Sequence, residues 1–248
     1  MNLNVEIYGT GEPIVFIHGV GGSSQYWYYQ REYLKHFMKV ILIDLPGHGK
    51  SPGEACKTIE EAREVVHDAI IWLGIDTCYM AGHSMGGGIV MSFALTYPEL
   101  LKGIILVCTG AKLRVLPEIL SEILNKKEAT VRMIMMDYAF SRKAPQKMRD
   151  NGFKDMMKCS ADTIYQGFSA CDKFNVINSL DKIDLPTLVI GGKDDLLTPP
   201  AFSEYLHRKI KGSVLVLVED AGHMIMVEQS DIVNKAIEDF IWKRSVER

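Results

Sequence analysis

The 248-residue chain has no run of about 18 apolar residues, the length that a membrane-crossing helix needs. Its start, Met1-Asn2-Leu3-Asn4-Val5-Glu6, lacks the basic stretch followed by an apolar one that marks a secretory leader. Excess charge of one sign is also missing: 28 lysines and arginines stand against 31 aspartates and glutamates, interleaved along the chain, for a net charge of −3. That balance offers no basic patch for nucleic acid or for an anionic membrane. There are only five cysteines, Cys56, Cys78, Cys108, Cys159 and Cys171, an odd number at wide intervals. Buried free thiols in a reducing compartment suit that distribution better than disulfides. No Cys-x-x-Cys or close Cys/His pair has metal-ligand spacing, so neither a metal nor another cofactor is expected. The expectation is a soluble, cytoplasmic protein, monomer or homodimer, with no nucleic-acid or membrane partner.

At 47% hydrophobic residues the chain has the material for a sizeable core, and its length suits one α/β domain with an insertion. Leu3 to Tyr8 alternates apolar and polar, as a half-buried edge strand would. Pro13 to Ile17, Val40 to Ile43, Cys78 to Ala81, Gly103 to Cys108, Pro186 to Gly191 and Val214 to Val218 are short apolar runs, the mark of strands covered on both faces. Helical patterns fall between them, from Ser24 to Leu34, Thr58 to Leu73, Met85 to Tyr97, Ala201 to Ile210 and Ser230 to Lys243, with Thr58 and Glu61 as a capping box. Regular alternation predicts a doubly wound, mostly parallel sheet.

The rhythm breaks between Leu113 and Asp181, where apolar residues recur only at helical spacing and methionines gather (Met133, Met135, Met136, Met148, Met156, Met157). An inserted helical cap explains this, giving a core of 1–112 and 182–248 and a cap of 113–181. Methionine fills irregular apolar cavities and tolerates varied ligands. A hydrophobic acyl pocket involving Met135, Tyr138, Phe168, Met224 and Gly19 is therefore expected, although any one methionine serves equally well to hold the cap on the sheet.

Chemistry enters with Gly82-His83-Ser84-Met85-Gly86. A Gly-x-Ser-x-Gly between a strand and a helix is a nucleophile elbow: the sharp turn lifts the serine oxygen out of the sheet and leaves the N–H of Met85 at a helix N-terminus. The loop His18-Gly19-Val20-Gly21-Gly22-Ser23 lacks a P-loop lysine and the Gly-x-Gly-x-x-Gly spacing of a dinucleotide site. Its expected use is a second oxyanion donor, the N–H of Val20. In an open parallel sheet the loops after the strands share one rim, which brings Val20, Ser84, Asp195 and His223 together. Serine needs a base, and imidazole backed by a carboxylate supplies it. Asp44 and His48, in Asp44-Leu45-Pro46-Gly47-His48, are read as turn and capping residues.

This set of motifs, with Gly192-Lys193-Asp194-Asp195 and Gly222-His223, resembles the α/β-hydrolase fold family over nearly the whole chain outside the cap. The resemblance implies a Ser84, Asp195, His223 triad; the family spacing, three residues after Gly192 and four before Pro199, favours Asp195 over Asp194. It also implies acyl transfer to water on small to medium hydrophobic esters. Carbon–carbon hydrolysis of a diketone, cofactor-free perhydrolysis and ligand reception without turnover are further activities of similar proteins. A serine at the elbow argues against the haloalkane dehalogenases, which carry aspartate there.

Overall fold

The computed structural model describes residues 2–246, with side chains to 243. Within them lies a seven-stranded sheet in the order β1-β3-β2-β4-β5-β6-β7. The strands are β1 (Val5–Tyr8), β2 (Glu12–Ile17), β3 (Met38–Ile43), β4 (Cys78–His83), β5 (Leu101–Val107), β6 (Thr187–Gly192) and β7 (Val214–Val218). Only β1, antiparallel to β3 at the edge, departs from parallel pairing. The central strands are the continuous apolar runs of the sequence, and Ile14 to Ile17, Val40 to Ile43 and Ile104 to Val107 are all fully buried.

Helices α1 (Tyr28–Leu34), α2 (Ile59–Trp72), α3 (Met85–Thr96) and α8 (Pro200–Lys209) connect successive strands. The α1 segment begins with a 3-10 turn, Ser24–Trp27, in which the Ser23 hydroxyl accepts from the Gln25 N–H at 3.3 Å. Only half of the expected capping box forms at α2. Thr58 Oγ1 accepts from the Glu61 N–H at 3.1 Å, but the Glu61 carboxylate accepts from Lys57 N–H at 2.7 Å instead of from Thr58. Between β5 and β6 lie α4 (Pro117–Glu122), α5 (Lys127–Met133), a π-helical turn (Ile134–Tyr138), α6 (Gln146–Met156) and α7 (Ala161–Lys173). The insertion is drawn together at its base by Val176 N–H donating to Ala111 O at 2.8 Å. A short helix, α9 (Ile225–Glu228), not foreseen in the sequence, precedes α10 (Ser230–Val246). All five cysteines are free thiols, four of them buried and Cys56 half-buried.

Strand β2 pairs with both β3 and β4. The chain winds outward from β2 to β3 and then returns across β2 to start β4, so the order reverses between β2 and β4. Ligand crevices open at such a reversal, beyond the carboxyl ends of the strands. The loops emerging there carry Val20 and Ser84.

The loop after β3 braces this crevice. Buried Asp44 accepts from Ser24 N–H (2.6 Å), Lys50 N–H (2.9 Å) and Asn4 Nδ2 (2.9 Å). Buried His18 accepts from Leu45 N–H at Nε2 (3.0 Å) and donates from Nδ1 to Gly19 O (2.8 Å). Burial pushes its pKa down to about 4, so both roles are those of the neutral ring. His48 donates from Nδ1 to Pro46 O, and burial brings it down to about 3. These contacts are structural, as expected for Asp44 and His48. In Asp44→Asn an amide NH2 replaces an oxygen that faces buried N–H donors. Hydrogen bonds to buried charged acceptors are worth about 1.5–3 kcal/mol each, so urea unfolding of Asp44→Asn is expected to show a loss of about 2–3 kcal/mol.

Candidate active site

Ser84 joins β4 to α3 with φ 54° and ψ −116°, a conformation that residues with side chains rarely adopt. Four hydrogen bonds hold it: Ser84 N–H donates to Val107 O (3.0 Å), while its carbonyl accepts from Gly87 N–H (2.9 Å), Gly88 N–H (3.3 Å) and Thr109 Oγ1 (2.8 Å). The turn is tight enough that a Cβ on Gly82 would collide with the Gly86 carbonyl, and one on Gly86 with the Ile17 carbonyl. The motif's two glycines are thus required by close approach. Met85 is the first residue of α3, where an N–H has no intrahelical acceptor. Neither its N–H nor that of Val20 finds a partner among the described residues.

On the same rim, His223 Nδ1 donates to Asp195 Oδ2 at 2.9 Å, which fixes the tautomer and frees Nε2. Asp195 is held in turn by Leu197 N–H (2.9 Å) and Thr198 N–H (2.8 Å) on Oδ1 and by the Thr198 hydroxyl (2.7 Å) on Oδ2. Thr198 Oγ1 also lies 3.1 Å from His223 Nδ1. Burial raises the Asp195 carboxyl, but His223 and the hydrogen bonds from His223 and Thr198 outweigh it, leaving the group below the usual aspartate value. Asp194 contributes a backbone N–H to Ala221 O at 2.9 Å. Of the two adjacent carboxylates, Asp195 is therefore the one that meets the histidine.

His83, one residue before Ser84, donates from Nε2 to the His223 carbonyl at 2.9 Å. Burial, and then the proximity of His223, hold its pKa well below the ordinary histidine value. Ligand atoms of Cys108, Asp195 and His223 lie within 4.8 Å of one another, a grouping invisible to linear spacing. The aspartate and histidine of that trio are already engaged with each other.

Ser84 and His223 line one cavity of about 120 Å³, room for about four waters at the roughly 30 Å³ that each takes in the liquid. Ser84 Oγ makes no hydrogen bond to any described residue; such bonds often close only when substrate is present. Of the residues expected in the pocket, Met135, Phe168 and Met224 line the cavity, and Val20 joins them. Gly19 and Tyr138 do not. Gly19 is packed against the His83 ring and Ser84 Cβ, behind the wall that Val20 forms. Tyr138 is turned away by the π-helical geometry: Ala139 N–H bonds to Ile134 O, and this five-residue step puts Ile134, Met135 and Ala139 on the cavity side. Tyr26, His83, Arg114, Leu196 and Thr198 line the cavity without having been singled out. Thr198 alone left a signal, a hydroxyl three residues after Asp195, the spacing at which a carboxylate caps a turn.

The insertion clasps the histidine loop. Met224 N–H donates to Ala139 O (3.1 Å), and the Glu228 carboxylate accepts from Gly222 N–H (3.0 Å) and from Ser141 N–H (2.9 Å).

A family model described as Hydrolase_4, serine aminopeptidase S33, matches residues 11–230. The chain belongs to this family. It is an enzyme of the α/β-hydrolase fold, and what this hydrolase resembles spans several activities. It is 27% identical over 248 residues to an (E)-2-((N-methylformamido)methylene)succinate hydrolase of Acinetobacter baylyi, covering 94% of this chain and 91% of that one. It is 28% identical over 247 residues to a pimeloyl-[acyl-carrier protein] methyl ester esterase of Neisseria meningitidis, covering 93% and 77%. Among solved structures, a thermophilic esterase from Thermogutta terrifontis superimposes with a TM-score of 0.89 at 26% identity, covering 98% of this chain and 93% of that one. The enol-lactonase of Burkholderia xenovorans, at 22% identity and a TM-score of 0.91 over 96% of each, shares the fold.

The lowered Asp195 carboxyl makes a prediction about stability. A group whose folded pKa lies below its unfolded value of about 3.9 stabilises the fold above that value, and the contribution disappears as pH falls through the folded pKa. Below about pH 4 the urea midpoint of the wild type is expected to fall more steeply than that of Asp195→Asn. Parallel acid limbs would mean that the carboxylate is not held as described.

Proposed function

We propose that this α/β hydrolase cleaves carboxylic esters through an acyl-enzyme on Ser84. The observation that carries the reading is the shared cavity: Ser84 opens into it beside a histidine whose other nitrogen is engaged by a buried carboxylate. In the first half-reaction Ser84 Oγ attacks the ester carbonyl while His223 Nε2 takes its proton, and Asp195 stabilises the imidazolium without accepting the proton. The oxyanion is met by the N–H groups of Val20 and Met85, both unpartnered in the resting site; each such donor is worth roughly 10²–10³ in rate. The alcohol leaves with the proton from His223, and water repeats the sequence on the acyl group.

Residues 113–181 act as the cap, and their contribution to a cavity of only about 120 Å³ supports acyl groups of small to medium length. The similarity to a methyl ester esterase points the same way. The same serine, base and N–H donors also suit carbon–carbon hydrolysis, and the choice of substrate separates the two.

Hydrolysis of p-nitrophenyl acetate and butyrate by the wild type is expected to vanish in Ser84→Ala. Asp195→Asn is expected to lose about 10³–10⁴-fold in kcat, and Asp194→Asn to stay near wild type; the opposite ranking would assign the wrong carboxylate. Across acetate, butyrate, octanoate and palmitate esters, rates should peak in the middle and fall at palmitate. Turnover of a vinylogous diketone but of no ester would move the reading to carbon–carbon hydrolysis, and binding without turnover would remove it.

A further inference from the structure

The cavity wall is apolar apart from a few side chains: its interior is made by residues such as Ile119, Ile134, Met135, Met156 and Phe168. Among the described residues, one residue whose side chain is charged at every physiological pH lines it, Arg114. His83 is kept uncharged by burial, and Asp195 sits behind His223, outside the lining. Arg114 is exposed and makes no hydrogen bond, ion pair or ring contact with any described residue. Arg31, Arg63 and Arg132, by contrast, each meet a glutamate. Arg114 thus lines the cavity with no described partner for its guanidinium donors.

The neighbourhood marks this end as the mouth. Leu116 and Leu196, which line the same cavity from the two facing loops, are 38% and 60% exposed. The loop that carries Arg114 is itself fixed, because Val115 N–H donates to Asp172 Oδ1 at 3.2 Å. Asp172 therefore meets this loop through its backbone. A short apolar chamber with a reactive serine inside and one free guanidinium at its lip has the form of a site for a two-ended molecule. Apolar walls hold its middle, and a few placed polar groups set its orientation.

We propose that Arg114 binds an anionic group at the end of the substrate remote from the scissile carbonyl, so that the preferred substrates are esters bearing a carboxylate, such as half-esters of short dicarboxylic acids. The inference rests on the ester-hydrolase reading above and names its substrate class. A planar guanidinium matches a carboxylate with two parallel hydrogen bonds. Because Arg114 is exposed the pair is screened by solvent and salt, so its effect is moderate and depends on ionic strength.

The test compares monomethyl glutarate and monomethyl adipate with methyl butyrate and methyl pentanoate, using wild type, Arg114→Gln and Arg114→Glu. A second arm places the anion on the leaving side, with the butyryl ester of glycolate against ethyl butyrate. In wild type, kcat/KM for the charged ester is expected to exceed that for its neutral partner by roughly tenfold in one arm, and that arm says which side of the ester reaches the mouth. The ratio should fall about tenfold in Arg114→Glu, by less in Arg114→Gln, and narrow with added salt. Ratios near one in wild type, or ratios unmoved by either substitution, overturn the inference while leaving ester hydrolysis intact. If no ester is turned over, calorimetry with glutarate still decides the matter. Binding to Ser84→Ala that is lost in Ser84→Ala/Arg114→Glu upholds the anion site, and indifference to Arg114→Glu ends it.

Discussion

The backbone of Ser84 is the constraint around which the site is organised. Conformations of its kind cost about 1–3 kcal/mol and persist only where the surroundings hold them. Here the surroundings are β5, which takes the Ser84 N–H, the first turn of α3, which takes its carbonyl, and Thr109, which takes it again. The two glycines follow from the same constraint, since the strand and helix approach too closely for any side chain. So does the character of α3, in which Met85 to Ala94 are buried without a break. A helix apolar on every side belongs in a core, and this one anchors the strained turn from behind. The energy stored in the turn is offset by the buried packing of α3 behind it, and the serine oxygen is thereby presented at the reversal point between β2 and β4.

A second pattern is the use of buried histidines as rigid neutral connectors. His18 ties the Leu45 N–H to the Gly19 carbonyl and so braces the loop that presents Val20. His83 ties the elbow to the His223 carbonyl. Each ring accepts or donates according to a fixed tautomer, and desolvation holds both below their ordinary pKa. Charging either ring would break a bond or strand a cation in the core. His223 differs in having a carboxylate partner, Asp195, whose remaining lone pairs are met by Thr198 and Leu197.

The strands were legible because burial on both faces leaves uninterrupted apolar runs, and the doubly wound sheet followed from their alternation with helices. The elbow was legible because its close approach admits only glycine at two fixed offsets. Asp195 and His223 were reached differently: the rim argument brought their loops together, while the choice between Asp194 and Asp195 came from family spacing, and the hydrogen bond to His223 now supports the same choice. Tyr138 shows where periodicity fails. A regular helix would carry it around with Met135, but a single π-helical turn inserts a residue and rotates the next ones, and nothing in the composition of Ile134 to Tyr138 marks that insertion. Arg114 was illegible for another reason. An arginine between apolar residues reads as an ordinary solvated side chain until the cavity beside it is known.

The cavity and the histidine loop share a wall. Ala139 accepts from Met224, and Glu228 bridges Gly222 to Ser141, so the segment that shapes the pocket also holds the backbone on either side of His223. Burial raises the Glu228 carboxyl, and two backbone N–H bonds work against that rise; a half-buried acid held in this way is a rigid strut. A change in the insertion that moves Phe140 or Ser141 must therefore move the histidine or break the strut. Substrate fit and the alignment of His223 are mechanically coupled along this edge, whereas the lip at Arg114 and Leu116 lies on a loop tied to α7 through Asp172. On the proposed reading, size selection at the inner wall is bound to the chemistry, and recognition at the mouth is free to vary without disturbing it.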